Sequence, residues 1–104
     1  MTDLSSFKDL YIKTAKENLQ ALKNGLFLLE QNGNDEKAIE EVFRNAHTLK
    51  SKSLLMGFDK ISDLAKSIED KLYEARNKKT SPTKDVLETI TNKALQIEKL
   101  LAQI

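Results

Sequence analysis

The chain has 104 residues, 17 basic and 16 acidic side chains, a net charge of +1, one His and no Cys. That length supports a single domain, residues 1–104, built around one core. Nearly balanced charge excludes nucleic-acid binding driven by bulk charge, and the missing cysteines exclude disulfides and thiolate metal sites.

Pro occurs once and Gly three times, and each falls where a helical segment could end. Apolar residues at helical spacing define four segments, predicted over about 3–31, 35–56, 59–77 and 82–103. The first carries Leu4, Phe7, Tyr11, Ala15, Leu19, Leu22, Leu26 and Leu29 and stops near Gly33. The second opens at Asn34-Asp35-Glu36, with Asn34 as the expected cap and two acids favouring the helix dipole. Its stripe is Ile39, Val42, Ala46, Leu49, Ser53 and Met56, ending at Gly57. The third runs through Ile61, Leu64, Ala65, Ile68, Leu72 and Ala75. The fourth is expected to start with Ser81 as cap and Pro82 at the first helical position, then Val86, Ile90, Ala94, Ile97, Leu101 and Ile104. Each stripe needs a partner, and the short links favour antiparallel neighbours. The predicted fold is all-α, an up-down-up-down four-helix bundle.

No apolar run approaches the roughly 20 residues that span a bilayer. Met1-Thr2-Asp3-Leu4-Ser5-Ser6 lacks the basic and apolar regions of a secretory leader. A cytoplasmic domain without membrane insertion is the expectation.

His47 is the single imidazole, so neutral-pH proton or nucleophile chemistry runs through it or does not run. It lies one residue past Ala46, about 100° round from the centre of the core stripe. That places it at the border of the apolar face, with Lys50 and Ser51 one turn on. In a generic bundle such a residue is a helix-edge His with an ordinary hydrogen bond.

The stretch Phe43-Arg44-Asn45-Ala46-His47-Thr48-Leu49-Lys50, followed by Gly57-Phe58, resembles the phosphoacceptor helix of histidine phosphotransfer (HPt) domains. The resemblance is strongest to the N-terminal phosphotransfer domain of chemotaxis-type histidine kinases. It continues through Lys66-Ser67-Ile68-Glu69-Asp70-Lys71-Leu72-Tyr73-Glu74-Ala75-Arg76 and covers the length of the chain. It implies that His47 accepts a phosphoryl group and passes it to an aspartate of a response-regulator receiver domain. The donor would be a histidine kinase ATP-binding domain or a phosphorylated receiver. Glu69 would accept the inner ring N–H, fixing the tautomer and stabilising positive charge on the ring, as a carboxylate does behind a metal-bound His. Lys50 would neutralise phosphoryl oxygens. Ser51, Leu54, Leu55 and Gly57 would line the partner-docking face. The isolated domain would be a monomer with no cofactor, no metal and no ATP site, a phosphoryl carrier rather than an enzyme. Any Mg²⁺ would belong to the partner's acidic pocket.

Four positions depart from the family pattern. Ser51 stands where Gly is usual, four residues after the His. Leu54 and Leu55 replace small or polar residues, and Lys66 stands where the chemotaxis kinases often carry a second His. Ser51 and Lys66 favour the alternative, a non-phosphorylated helical adaptor (a degenerate phosphotransfer domain) that acts only by binding proteins. Metalloenzyme, nucleotide-binding and nucleic-acid-binding readings lack ligands, a Gly-rich loop and an aromatic-basic face respectively.

Overall fold

A computed structural model describes residues 4–104. Four helices account for nearly all of it: α1 (Leu4–Gln31), α2 (Glu36–Leu55), α3 (Asp59–Lys78) and α4 (Lys84–Ala102). The expected start of the first helix at residue 3 lies outside the described residues, as does the Leu4 side chain. Packing pairs α1 with α2 and α4, and α3 with α2 and α4, which is the cyclic order of an antiparallel four-helix bundle. The two ends are tied accordingly. At one, Ser81 in the α3–α4 connection hydrogen-bonds Asn34 in the α1–α2 connection. At the other, Tyr11 of α1 stacks on Phe58 of the α2–α3 turn with ring centroids 5.0 Å apart. The bundle measures 48 × 22 × 19 Å.

The core follows the predicted stripes. Leu22, Leu29, Val42, Leu49, Ile68, Leu72, Ile90 and Ile97 are fully buried, and each such aliphatic side chain stabilises the fold by about 1.5–3 kcal/mol. Ser53, counted in the stripe of α2, is also buried, and its hydroxyl is 2.7 Å from the Tyr11 hydroxyl. Phe7 departs from the expectation and is exposed. It lies one turn before Tyr11, which already packs on the turn that ends α2, so no neighbouring helix remains for Phe7 to meet. Val86 and Leu64 are only partly buried, and Leu87 takes the core position at the start of α4.

Helix ends correct three local expectations. Asp35, not Asn34, caps α2, accepting a hydrogen bond from the Ala38 N–H at 3.0 Å. Thr83, not Ser81, caps α4, accepting from the Val86 N–H at 3.2 Å, so Pro82 precedes the helix rather than opening it. Gly25 ends nothing. It is buried in the middle of α1, where a Cβ would stand 2.6 Å from Val42 Cγ2; it is the close-approach point of α1 and α2.

Gly57 does end α2. Its φ of 82° is left-handed, its N–H donates to the Leu54 carbonyl, and the Phe58 N–H donates to the Ser53 carbonyl at 2.8 Å. That is a Schellman cap, in which glycine avoids the Cβ penalty. It delivers the chain to α3 with Phe58 turned onto Tyr11. The pairing of α2 with α3 that follows builds the site.

Candidate functional site

His47 sits mid-way along α2, and Glu69 faces it from α3. Both lie beside their buried stripes, next to Ala46 and Ile68, so the α2–α3 contact brings the two side chains together. His47 Nδ1 is 2.5 Å from Glu69 Oε2. The other carboxylate oxygen, Oε1, accepts a hydrogen bond from Lys50 Nζ at 2.7 Å. Lys50 is in turn fixed through its backbone, because the Ser62 hydroxyl on α3 donates to the Lys50 carbonyl at 2.9 Å.

Exposure separates the members of this cluster. The His47 side chain is 56% exposed and that of Glu69 only 12%. Glu69 is a buried carboxylate whose two oxygens both have partners. Burial alone would raise its pKa. The hydrogen bonds and charges of Lys50 and His47 outweigh that effect and hold it below the ordinary 4.5. An ionised carboxylate has only acceptors, so the proton of the 2.5 Å contact belongs to His47 Nδ1. In the neutral ring with that tautomer Nε2 carries the lone pair. Among the described residues Nε2 has no hydrogen-bond partner, and the ring's exposure leaves it to solvent.

Ser51, Leu54, Leu55 and Gly57 all lie on the surface. Leu54 and Leu55 are 63% and 87% exposed, an apolar edge at the end of α2 on the side of His47. Gly57 is accounted for by its left-handed turn. Lys66 points to solvent and pairs with Asp70 at 3.0 Å, outside the His47–Glu69–Lys50 cluster.

Lys50 departs most from its expected part. In the unphosphorylated domain its ammonium lies on Glu69, 2.7 Å from Oε1. Helical spacing carried the signal. A carboxylate that reaches His47 from the next helix is also within reach of a long side chain three residues on, because helical side chains lean toward the N-terminus. A clamp one turn below His47 leaves no mark in the sequence pattern. Arg76 on α3 lies over the Phe43 ring at 4.3 Å and donates to Glu40 at 2.8 and 3.4 Å. On the other flank of α2, Lys52 Nζ donates to Asn18 Oδ1 at 2.8 Å, and Asn18 Nδ2 to Asn45 Oδ1 at 3.0 Å. Alternating charges gave no clue to these partners.

Among the described residues no helix is long and apolar enough to cross a membrane, and none of their His, Asp and Glu side chains form a group of three or more that could hold a metal ion.

Known proteins share this arrangement of helices and much of its sequence. The CheA phosphotransferase domain from Thermotoga maritima matches with a TM-score of 0.90 at 31% identity, covering 98% of this chain and 97% of that one. A solution structure of the histidine phosphotransfer domain of CheA matches with a TM-score of 0.90 at 32% identity, covering 98% of this chain and 77% of that one. The chemotaxis protein CheA of Listeria monocytogenes is 35% identical over 96 residues. That alignment covers 92% of this chain, which spans only 16% of the length of the Listeria protein. The model of the Hpt domain family matches residues 6–104, and the chain belongs to that family.

Proposed function

We propose that this domain is a phosphoryl carrier of a chemotaxis-type phosphorelay, with His47 Nε2 as the acceptor atom. One observation carries the reading. The buried Glu69 carboxylate lies 2.5 Å from His47 Nδ1, while the ring remains 56% exposed. Such a ring is a neutral nucleophile with its lone pair directed to solvent.

The donor is ATP bound to a histidine kinase ATP-binding domain. Nε2 attacks the γ-phosphorus, the N–P bond forms, and the bond to the bridging oxygen breaks so that ADP leaves with its electron pair. Nδ1 keeps its proton throughout. The phosphorylated ring is then cationic, and the Glu69 carboxylate stabilises it as Lys50 keeps that carboxylate ionised and in place. In the second step an aspartate oxygen of a receiver domain attacks the phosphorus, and the N–P electrons return to Nε2. The leaving group is a neutral imidazole already oriented by Glu69, so little reorganisation accompanies transfer. The partners dock on the surface around His47, Ser51, Leu54 and Leu55, where an apolar centre flanks the reacting atom. The domain acts as a monomer in the cytoplasm and has no ATP site of its own.

Incubation with ATP and a cognate kinase domain, followed by mapping of acid-labile phosphate, tests the reading. Phosphate is expected on His47 and absent from His47→Gln, which should melt within a few degrees of wild type because the ring is largely exposed. A chain that binds the kinase and receiver yet takes up no phosphate is the adaptor instead.

A further inference from the structure

Phosphorylation places a charge of about −2 on an exposed ring nitrogen, and the cations around His47 are not equally free to meet it. Lys50 is anchored on the buried Glu69 at 2.7 Å. Arg76 is held by Glu40 at 2.8 Å and stacked on Phe43. Lys66 pairs with Asp70 at 3.0 Å, and Lys52 turns toward Asn18 on α1. Arg44 differs. Its side chain is 65% exposed and keeps one contact, to Glu41 Oε2 at 3.3 Å, the long end of a hydrogen bond and worth little at a surface.

Its position is the second observation. Arg44 precedes His47 by three residues and shares its helix face. A helical side chain covers the turn on the N-terminal side of its own Cα, so a phosphoryl group on His47 projects over the turn that carries Arg44. Leaving Glu41 strands no acceptor, because Glu41 Oε1 also accepts from Asn45 Nδ2 at 3.2 Å. Glu40, the other carboxylate that feels the Arg44 charge, has Arg76 as its main partner.

We propose that Arg44 is the phosphoryl-binding cation of this site, exchanging Glu41 for the phosphoryl oxygens when His47 is phosphorylated. A planar guanidinium can meet two of those oxygens at once, which a carboxylate contact through a single nitrogen cannot match. Lys50 thus serves the orienting carboxylate, and Arg44 the transferred group. The assignment rests on the phosphoryl-carrier reading above.

Phosphoramidate separates the two, since this small donor needs no partner protein. Nε2 attacks its phosphorus, the N–P bond to the ammonia nitrogen breaks, and ammonia leaves. The rate of His47 phosphorylation and the half-life of the product would be measured for wild type, Arg44→Gln, Arg44→Lys and, as a charge-matched control on α4, Lys99→Gln. Arg44→Gln should slow uptake about fivefold at low ionic strength, as expected for a surface charge-assisted contact. The difference should shrink in 1 M salt, to which about 3 Å of screening length corresponds. Arg44→Lys should recover part of it, and Lys99→Gln should match wild type. The Arg44 Nε–H resonance should also shift when wild type is phosphorylated. Equal rates in wild type and Arg44→Gln with an unmoved Arg44 resonance would overturn the assignment while leaving His47 as the acceptor. Equal slowing by Lys99→Gln would overturn it as well, by reducing the effect to net charge. Failure of wild-type His47 to take phosphate from either phosphoramidate or a kinase domain would instead overturn the carrier reading itself.

Discussion

Glu69 connects burial, charge and chemistry in one side chain. It is buried, it contacts both His47 and Lys50, and those bonds hold its pKa below the ordinary value despite burial. Glu69→Ala removes the acceptor and leaves the Lys50 ammonium without its partner. The expected cost is about 1–3 kcal/mol in denaturant unfolding at pH 7, more than a surface acid would give. The pH dependence follows from the direction of the shift. A carboxylate with a depressed folded pKa contributes stability fully above its unfolded value of 4.5 and loses it as pH falls through the folded value. The gap between wild type and Glu69→Ala should therefore narrow as pH falls from 4.5 through the folded value. A gap that stays constant throughout acid titration below pH 4.5 would mean that the ionised form is not what stabilises. The pairing of His47 with Glu69 was legible in the sequence through family resemblance. The part of Lys50 was legible only as reach, because helical spacing puts it near Glu69 but which of two anions a lysine meets depends on side-chain paths between helices.

Two elements show what periodicity leaves undecided. Consecutive residues Ser81, Pro82 and Thr83 each suit a helix start, and the choice among them is made by backbone geometry that composition does not encode. With Thr83 accepting from the Val86 N–H, Thr83→Ala should cost about 1 kcal/mol. Ser81→Ala, which loses only an exposed contact to Asn34, should cost less in the same thermal unfolding series. The reverse order would restore Ser81 as the cap. Gly25 reads as a break in sequence because its reason lies on another helix. A methyl there would press on Val42, a β-branched and fully buried side chain with no room to turn. Gly25→Ala gains helix propensity but should still destabilise by about 1–3 kcal/mol through overpacking. In a double-mutant cycle Val42→Ala should relieve part of that loss. Simple additivity would show that the two helices do not meet at this point.

Across the whole molecule the fold was largely legible, because four apolar stripes at a period of 3.6 residues dictate four buried faces. Tyr11, Leu19, Val42, Leu49, Ile68, Leu72, Ile90 and Ile97 all fall where those stripes place them. Failures lie at the ends, as at Phe7, where periodicity persists beyond the reach of a partner helix. The surface around His47 follows different rules, since Leu54 and Leu55 are apolar yet exposed. If they form the docking edge, Leu55→Asp should weaken receiver binding several-fold with helicity unchanged. Val42→Asp, a charge in a fully buried site, should unfold the bundle. Undiminished binding of Leu55→Asp would put the docking edge elsewhere.

The most direct test of the central claim is a nitrogen NMR spectrum of the His47 imidazole before and after phosphorylation by a kinase domain. Before phosphorylation the proton should reside on Nδ1 in wild type, and Glu69→Ala should lose that preference. Afterwards phosphorus coupling should be found at Nε2, with Nδ1 still protonated. Phosphorus on Nδ1, or a tautomer ratio indifferent to Glu69, would contradict a site built to present Nε2.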